Sequence, residues 1–123
     1  MFNVFKTLFQ FVANNAAVIS IVILTAITTL SLLPLPELPE VAGGDKLHHI
    51  MAYLCLAIPV TVKGEGRLLW FLLFYITWSG AIELIQPFVN RYGEWADLLA
   101  NGVGLLLGAG IGLALRNQFI KST

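Results

Sequence analysis

The sequence predicts an all-α integral membrane protein: four membrane-spanning helices behind an N-terminal amphipathic helix lying in the membrane interface. Three observations carry this class. Hydrophobic residues make up 58% of the 123-residue chain and charged residues only 11%, with a mean hydropathy of +0.83. A soluble domain is about 25% charged, so this chain has too little polar surface to cover itself in water. Its apolar residues fall into four runs of helical length, closed by prolines, glycines or charges. The polar residues inside those runs gather towards one end of the helices rather than being scattered. The length suits a single domain over 1–123.

Residues 1–14, MFNVFKTLFQFVAN, place Asn3, Lys6, Thr7, Gln10 and Asn14 on one narrow helical face, with phenylalanine, leucine and valine around the rest. That pattern suits a helix lying flat in the headgroup region; the competing reading is an extension of the first span. The first span is 16–33, long enough at about 1.5 Å per residue to cross a core of about 30 Å with little tilt. It exceeds the roughly 7–15 apolar residues of a signal peptide and no A-x-A cleavage site follows, so it reads as retained. Thr25, Thr28 and Thr29 are expected to bond back to backbone carbonyls or pack on neighbours. Three prolines and a Gly-Gly pair in PLPELPEVAGG, 34–44, then forbid helix.

The second span covers about 46–62. Pro59 leaves the Cys55 carbonyl without its usual donor, which predicts a kink or an early end. Lys63-Gly64-Glu65-Gly66-Arg67 reads as a polar turn, the third span as 68–89 and the fourth as 95–115. Cys55 is the only cysteine, so no intrachain disulfide forms. With four spans, Lys6, Lys63, Arg67, Arg116 and Lys121 lie on one side and only Lys46 and Arg91 on the other. The basic excess places both termini in the cytoplasm. Tyr53, Tyr92 and Trp95 are then expected near the outer headgroups and Trp70 near the inner ones. Zero net charge and the absence of a basic stripe point away from nucleic acid.

Three helix ends meet on the outer side. On the second span Asp45 and His49 share a face with Tyr53 and Leu56, and Lys46 flanks them. On the third, Glu83 and Gln86 are three apart, continued by Tyr75, Ser79 and Asn90. On the fourth, Asp97, Asn101, Gly104, Gly108 and Gly112 form one face, a small-xxx-small series beneath a polar head. Glu83 lies fifteen residues into its span, about 22 Å at the helical rise and so roughly 8 Å beneath the outer edge of the core. A carboxylate there needs a partner or a proton. Lys46, Arg91 and His49 are the available donors, and both basic residues are expected to adjoin the acids. Pro87 frees the Glu83 carbonyl as well.

These residues carry a resemblance. Asp45-Lys46-Leu47-His48-His49, then Glu83-Leu84-Ile85-Gln86, then Arg91, then Asp97-Leu98-Leu99-Ala100-Asn101 with Gly104 and Gly108 resemble the VanZ-like family. That family's order is Asp-Lys-x-x-His, Glu-x-x-Gln, an Arg, and Asp-x-x-Ala-Asn-x-x-Gly. Where its members often carry Pro-Gly before the Arg, this chain has Val89-Asn90 and one residue fewer. The resemblance implies a small protein of the bacterial cytoplasmic membrane, with the named member linked to resistance to glycopeptide antibiotics such as teicoplanin. It implies no established reaction.

The reading that follows is a binding or accessory protein. Asp45, Lys46, His49, Glu83, Gln86, Arg91, Asp97 and Asn101 would form an outward-facing polar pocket, with Gly104, Gly108 and Gly112 as the packing face. Its partners would be membrane lipid and a lipid-linked envelope precursor or a glycopeptide, held by charge-assisted bonds. One alternative is a membrane-embedded enzyme acting on a lipid-linked headgroup, with His49, Glu83 and Asp97 as acid and base. Against it stand the absence of HExxH and GxSxG and of any Ser or Cys expected beside the cluster. Asp45, His49, Glu83 and Asp97 include metal-ligand types, but neither a metal nor another cofactor is called for. A proton relay through Glu83 and the Tyr75-Ser79 stripe lacks acids in the inner half. The remaining alternative is a polar cluster that only holds helices in register.

Overall fold

The computed structural model describes residues 2–33, 46–64, 66–91 and 94–121. Five α-helices follow one another: α1 Phe2–Asn14, α2 Ala16–Leu32, α3 Lys46–Lys63, α4 Leu68–Ile85 and α5 Trp95–Lys121, with a 3-10 turn Gln86–Val89 closing α4. No strand occurs among the described residues. The helices α3 and α5 form the most extensive pair, and α2, α4 and α1 pack around them.

Asn15 separates α1 from α2. Its side-chain amide donates to the Phe11 carbonyl at 2.8 Å, while its own carbonyl accepts from Ile19 N–H at 2.9 Å. A side chain competing for the backbone in this way ends one helix and opens the next. The axes bend by 76° at this break, so α1 is not a straight extension of the first span. Phe9 stacks on Phe119 at 5.1 Å and docks α1 against α5. Val4, Phe5, Leu8 and Phe11 stay exposed, an apolar surface suited to lipid.

Leu33 turns extended before Pro34 and stops α2. Thr28 donates to the Leu24 carbonyl at 2.8 Å and accepts from the Trp78 indole at 2.9 Å, joining α2 to α4. Contrary to an early end, α3 continues through Pro59 to Lys63, and Thr61 donates back to Ala57 at 2.7 Å. Gly64 and Gly66 take φ of 68° and 77° in the turn to α4, a left-handed region that a Cβ disfavours. A Cβ at Gly64 would also overlap the Arg116 guanidinium, so α5 closes over this turn.

The face Gly104, Gly108, Gly112 lies on α3. A Cβ at Gly104 would collide with the Ile50 carbonyl, one at Gly108 with the Leu54 carbonyl, and one at Gly112 with the Thr61 side chain. At Gly104 and Gly108 backbone meets backbone, as small residues permit in lipid. The other side of α5 exposes Leu99, Val103, Leu106 and Leu107.

Two helical segments, Leu68–Val89 and Trp95–Phe119, are long and apolar enough to cross a membrane; they are three if bent α1 and α2 form one span. By length and composition alone, two or three spans of the expected four are shown among the described residues. On its own α2 has 17 residues, and α3 carries Lys46, His48, His49 and Lys63. The fourth expected span continues beyond 115 to Lys121. Tyr53, expected at the headgroups, is instead 2% exposed and lies in the core. Trp70 and Trp95 are exposed, and Tyr92 falls outside the described residues.

Candidate functional site

The first two turns of α3 and α5 lie side by side because the glycine face below them brings the two backbones together. Lys46 and His49 from α3 therefore reach Asp97 and Asn101 from α5, while α4 supplies Ser79 and Glu83. Ser79, Glu83, Gln86, Asp97 and Asn101 are all at least nine-tenths buried, a burial that polar groups tolerate only with partners.

Those partners form a chain. Lys46 Nζ lies 3.2 Å from Glu94 Oε2 and 3.6 Å from Asp97 Oδ1. Asp97 Oδ2 is 3.9 Å from His49 Nε2. His49 Nδ1 is 3.1 Å from Asn101 Oδ1, and Asn101 Nδ2 donates to Ser79 Oγ. The amide orientation assigns the imidazole: Asn101 donates through Nδ2, so its Oδ1 accepts and His49 carries its proton on Nδ1. In the neutral ring the Nε2 lone pair then faces Asp97, and in the imidazolium an N–H does. Tyr53, 2% exposed, lies beside Ser79 and in the field of Glu83. Glu83 Oε2 accepts the Glu94 backbone N–H at 2.8 Å, which ties the end of α4 to the start of α5.

Lys46, His49, Asp97 and Asn101 are thus brought into one network, and Glu83 borders it. Gln86 and Arg91 turn elsewhere. Gln86 Nε2 donates to the Ser31 carbonyl at 3.1 Å. Arg91 Nη1 donates to the carbonyls of Leu30 at 2.7 Å and Leu33 at 3.1 Å. The expectation that Arg91 adjoins the acids is corrected here: its described side-chain bonds run to the C-terminus of α2. The last carbonyls of a helix lack intrahelical donors and carry the negative end of its dipole, so they attract the guanidinium. Asn90, with φ of 58°, fills the left-handed position that precedes Arg91, and the Arg91 N–H closes on the Gln86 carbonyl at 3.0 Å. Asp45 lies outside the described residues.

A second correction concerns Ser79. A serine does stand beside the cluster, but it is fully buried and engaged by Asn101, a structural position rather than that of an exposed nucleophile. Glu94 was also missed as a participant. Its signal was its place in the first turn before α5, opposite the only lysine at that end of α3. Among the described residues, no three His, Cys, Asp or Glu side chains group as a metal site.

His49 belongs to two environments. Besides the network it lines a cavity of about 430 Å³ between α2 and α3. Ile23, Ala26 and Ile27 form apolar walls of that cavity, while His49, Tyr53 and Arg91 contribute its polar side. Its volume falls within the roughly 300–1,000 Å³ of small-molecule sites.

A small helical bundle with lipid-compatible apolar faces and a buried polar cluster at one end defines the class: a helical membrane protein. The chain belongs to the VanZ/LLP1 family, whose model matches residues 1–116. No curated protein and no solved structure matches it.

Proposed function

We propose that this protein is a binding or accessory protein of the bacterial cytoplasmic membrane. It spans the membrane four times with both termini inside, and takes an anionic lipid-linked envelope component from the outer leaflet. One observation carries the reading: the cavity between α2 and α3 has the two-sided character of an amphiphile, with apolar walls and a side bearing His49 and Arg91. A guanidinium holds five donors in a fork, so capping α2 through Nη1 is compatible with meeting a phosphate. The buried network holds His49 from behind through Asn101 and Asp97. A second reading is an enzyme acting on the bound headgroup, since the His49 ring lines the cavity; to serve as its base His49 would have to turn Nε2 from Asp97 towards the ligand.

Ala26→Phe fills the cavity from an exposed α2 position without touching the polar network. It is expected to remove the anionic lipid that co-purifies with the parent protein, read by mass spectrometry, while thermal stability in detergent is retained. The same bound lipid in parent and variant would sink the binding reading. Headgroup released from added lipid-linked precursor by the parent, and not by Ala26→Phe, would select the enzyme.

Topology is tested separately. In a Cys55→Ala background, a single cysteine at Glu40 is expected to react with an impermeant thiol reagent on intact cells, and one at Glu65 to stay unreacted. Labelling confined to Glu65 reverses the orientation.

A further inference from the structure

At the opposite end of the bundle a second cavity of about 270 Å³ lies between α2, α3 and α4. Its lining runs in matching order along all three helices. Ala16 and Ala17, Lys63, and Arg67 and Leu68 lie at the helix ends; Ser20, Val60 and Phe71 lie one turn in; Leu24 and Tyr75 lie two turns in. The feature is therefore a shaft. Eight residues separate Ala16 from Leu24, about 12 Å at the helical rise, most of the roughly 15 Å of hydrocarbon in one leaflet.

The shaft has three chemical levels. Lys63 and Arg67 stand at the mouth, and Arg116 packs on the adjoining Gly64 turn. One turn down is Ser20, 7% exposed, whose Oγ has no hydrogen-bond partner among the described residues. The Tyr75 hydroxyl interacts with Ser20, but the pair falls short of hydrogen-bond geometry. A buried hydroxyl left so is costly unless something outside the chain accepts from it. Below Ser20 the described walls are apolar apart from the Tyr75 hydroxyl. Beside the shaft, Leu69, Trp70 and Phe74 are exposed and apolar, as on a surface facing lipid.

We propose that this shaft holds one acyl chain of an anionic glycerophospholipid, with the phosphate at Lys63 and Arg67 and the ester carbonyl accepting from Ser20. The volume is just below the range of whole-ligand pockets, which suits a single chain and not a complete lipid. The order of levels, cation then hydroxyl then hydrocarbon, is the order in which such a lipid presents phosphate, ester and chain. The site shares no lining residue with the cavity beside His49 and stands independently of the function proposed there.

The test uses the full chain in nanodiscs or detergent with dioleoyl phosphatidylglycerol and, in parallel, dioleoyl phosphatidylcholine, bound lipid being read by native mass spectrometry. A basic residue near an anionic surface strengthens binding about fivefold, so two predict a preference for phosphatidylglycerol of roughly thirtyfold. Lys63→Gln with Arg67→Gln is expected to erase the preference while leaving residual binding of both lipids. Ala17→Phe, at an exposed position on the wall, is expected to block both. Ala26→Phe, in the other cavity, is expected to leave the preference intact and so separates the two sites. Equal retention of the two lipids by the parent chain overturns the proposal. So does a preference that survives both the charge pair and Ala17→Phe.

Discussion

Gly108→Leu is expected to remove most folded protein from detergent extracts, whereas Gly110→Leu two residues away is expected to leave it unchanged. The contrast follows from what each position faces. A Cβ at Gly108 runs into the Leu54 carbonyl and the Ala57 side chain, and backbone cannot step aside as a flexible side chain does. A Cβ at Gly110 meets nothing within 4 Å. Overpacking in a tight core costs about 1–3 kcal/mol and more where backbone must shift. The open position should instead gain about 0.5–1 kcal/mol as glycine is replaced by a better helix former. The measurement is monodisperse yield with thermal unfolding followed by circular dichroism. Equal yields for the two variants would place the α3–α5 contact elsewhere.

Asn101→Leu is expected to be the most damaging single change in the polar cluster. Asn101 is buried and bridges two groups: the part-buried His49 ring at 3.1 Å and the fully buried Ser79 hydroxyl. Removing the amide leaves the buried Ser79 hydroxyl without it, at about 1–3 kcal/mol, and frees the His49 ring from its holder. Adding Ser79→Ala to Asn101→Leu should recover part of the loss, because one orphaned group disappears with it. A double-mutant cycle on unfolding in detergent checks this. If Ser79→Ala deepens the loss by its full single-variant cost, the two residues act independently and the network is not the cooperative unit described here.

Much of this arrangement was legible because membrane segments announce themselves by composition, and small residues spaced by four mark a face. The separation of α1 from α2 was visible in the polar face of residues 1–14, and the proximity of α5 to another helix in Gly104, Gly108 and Gly112. What stayed hidden depends on which helices become neighbours. Arg91 bonds carbonyls of Leu30 and Leu33, 61 and 58 residues away, and any carbonyl looks alike in a sequence. Ser79 and Tyr53 are ordinary residues of apolar helices until α3, α4 and α5 converge and make them a buried pair. Pro59 illustrates the converse. A proline removes one hydrogen bond, and tertiary packing of the residues around it, with Leu56, Ala57 and Val60 buried, keeps α3 helical past it.

The position of α2 has a mechanical consequence. Cavities of about 430 and 270 Å³ open along it. Among the described residues its polar fastenings cluster towards the C-terminal half: Trp78 on Thr28, Gln86 on Ser31, and Arg91 on Leu30 and Leu33. Such bonds average about 0.6 kcal/mol in a membrane, so four amount to about 2.4 kcal/mol, or roughly sixtyfold in population. The two ends of α2 are thus held differently: the C-terminal end by polar bonds, and the end continuous with α1 by packing, with Ala16 1% exposed and α1 docked through Phe9 on Phe119. Loss of the polar bonds would therefore loosen α2 from α4 at one end while leaving its joint with the amphipathic helix seated at the other.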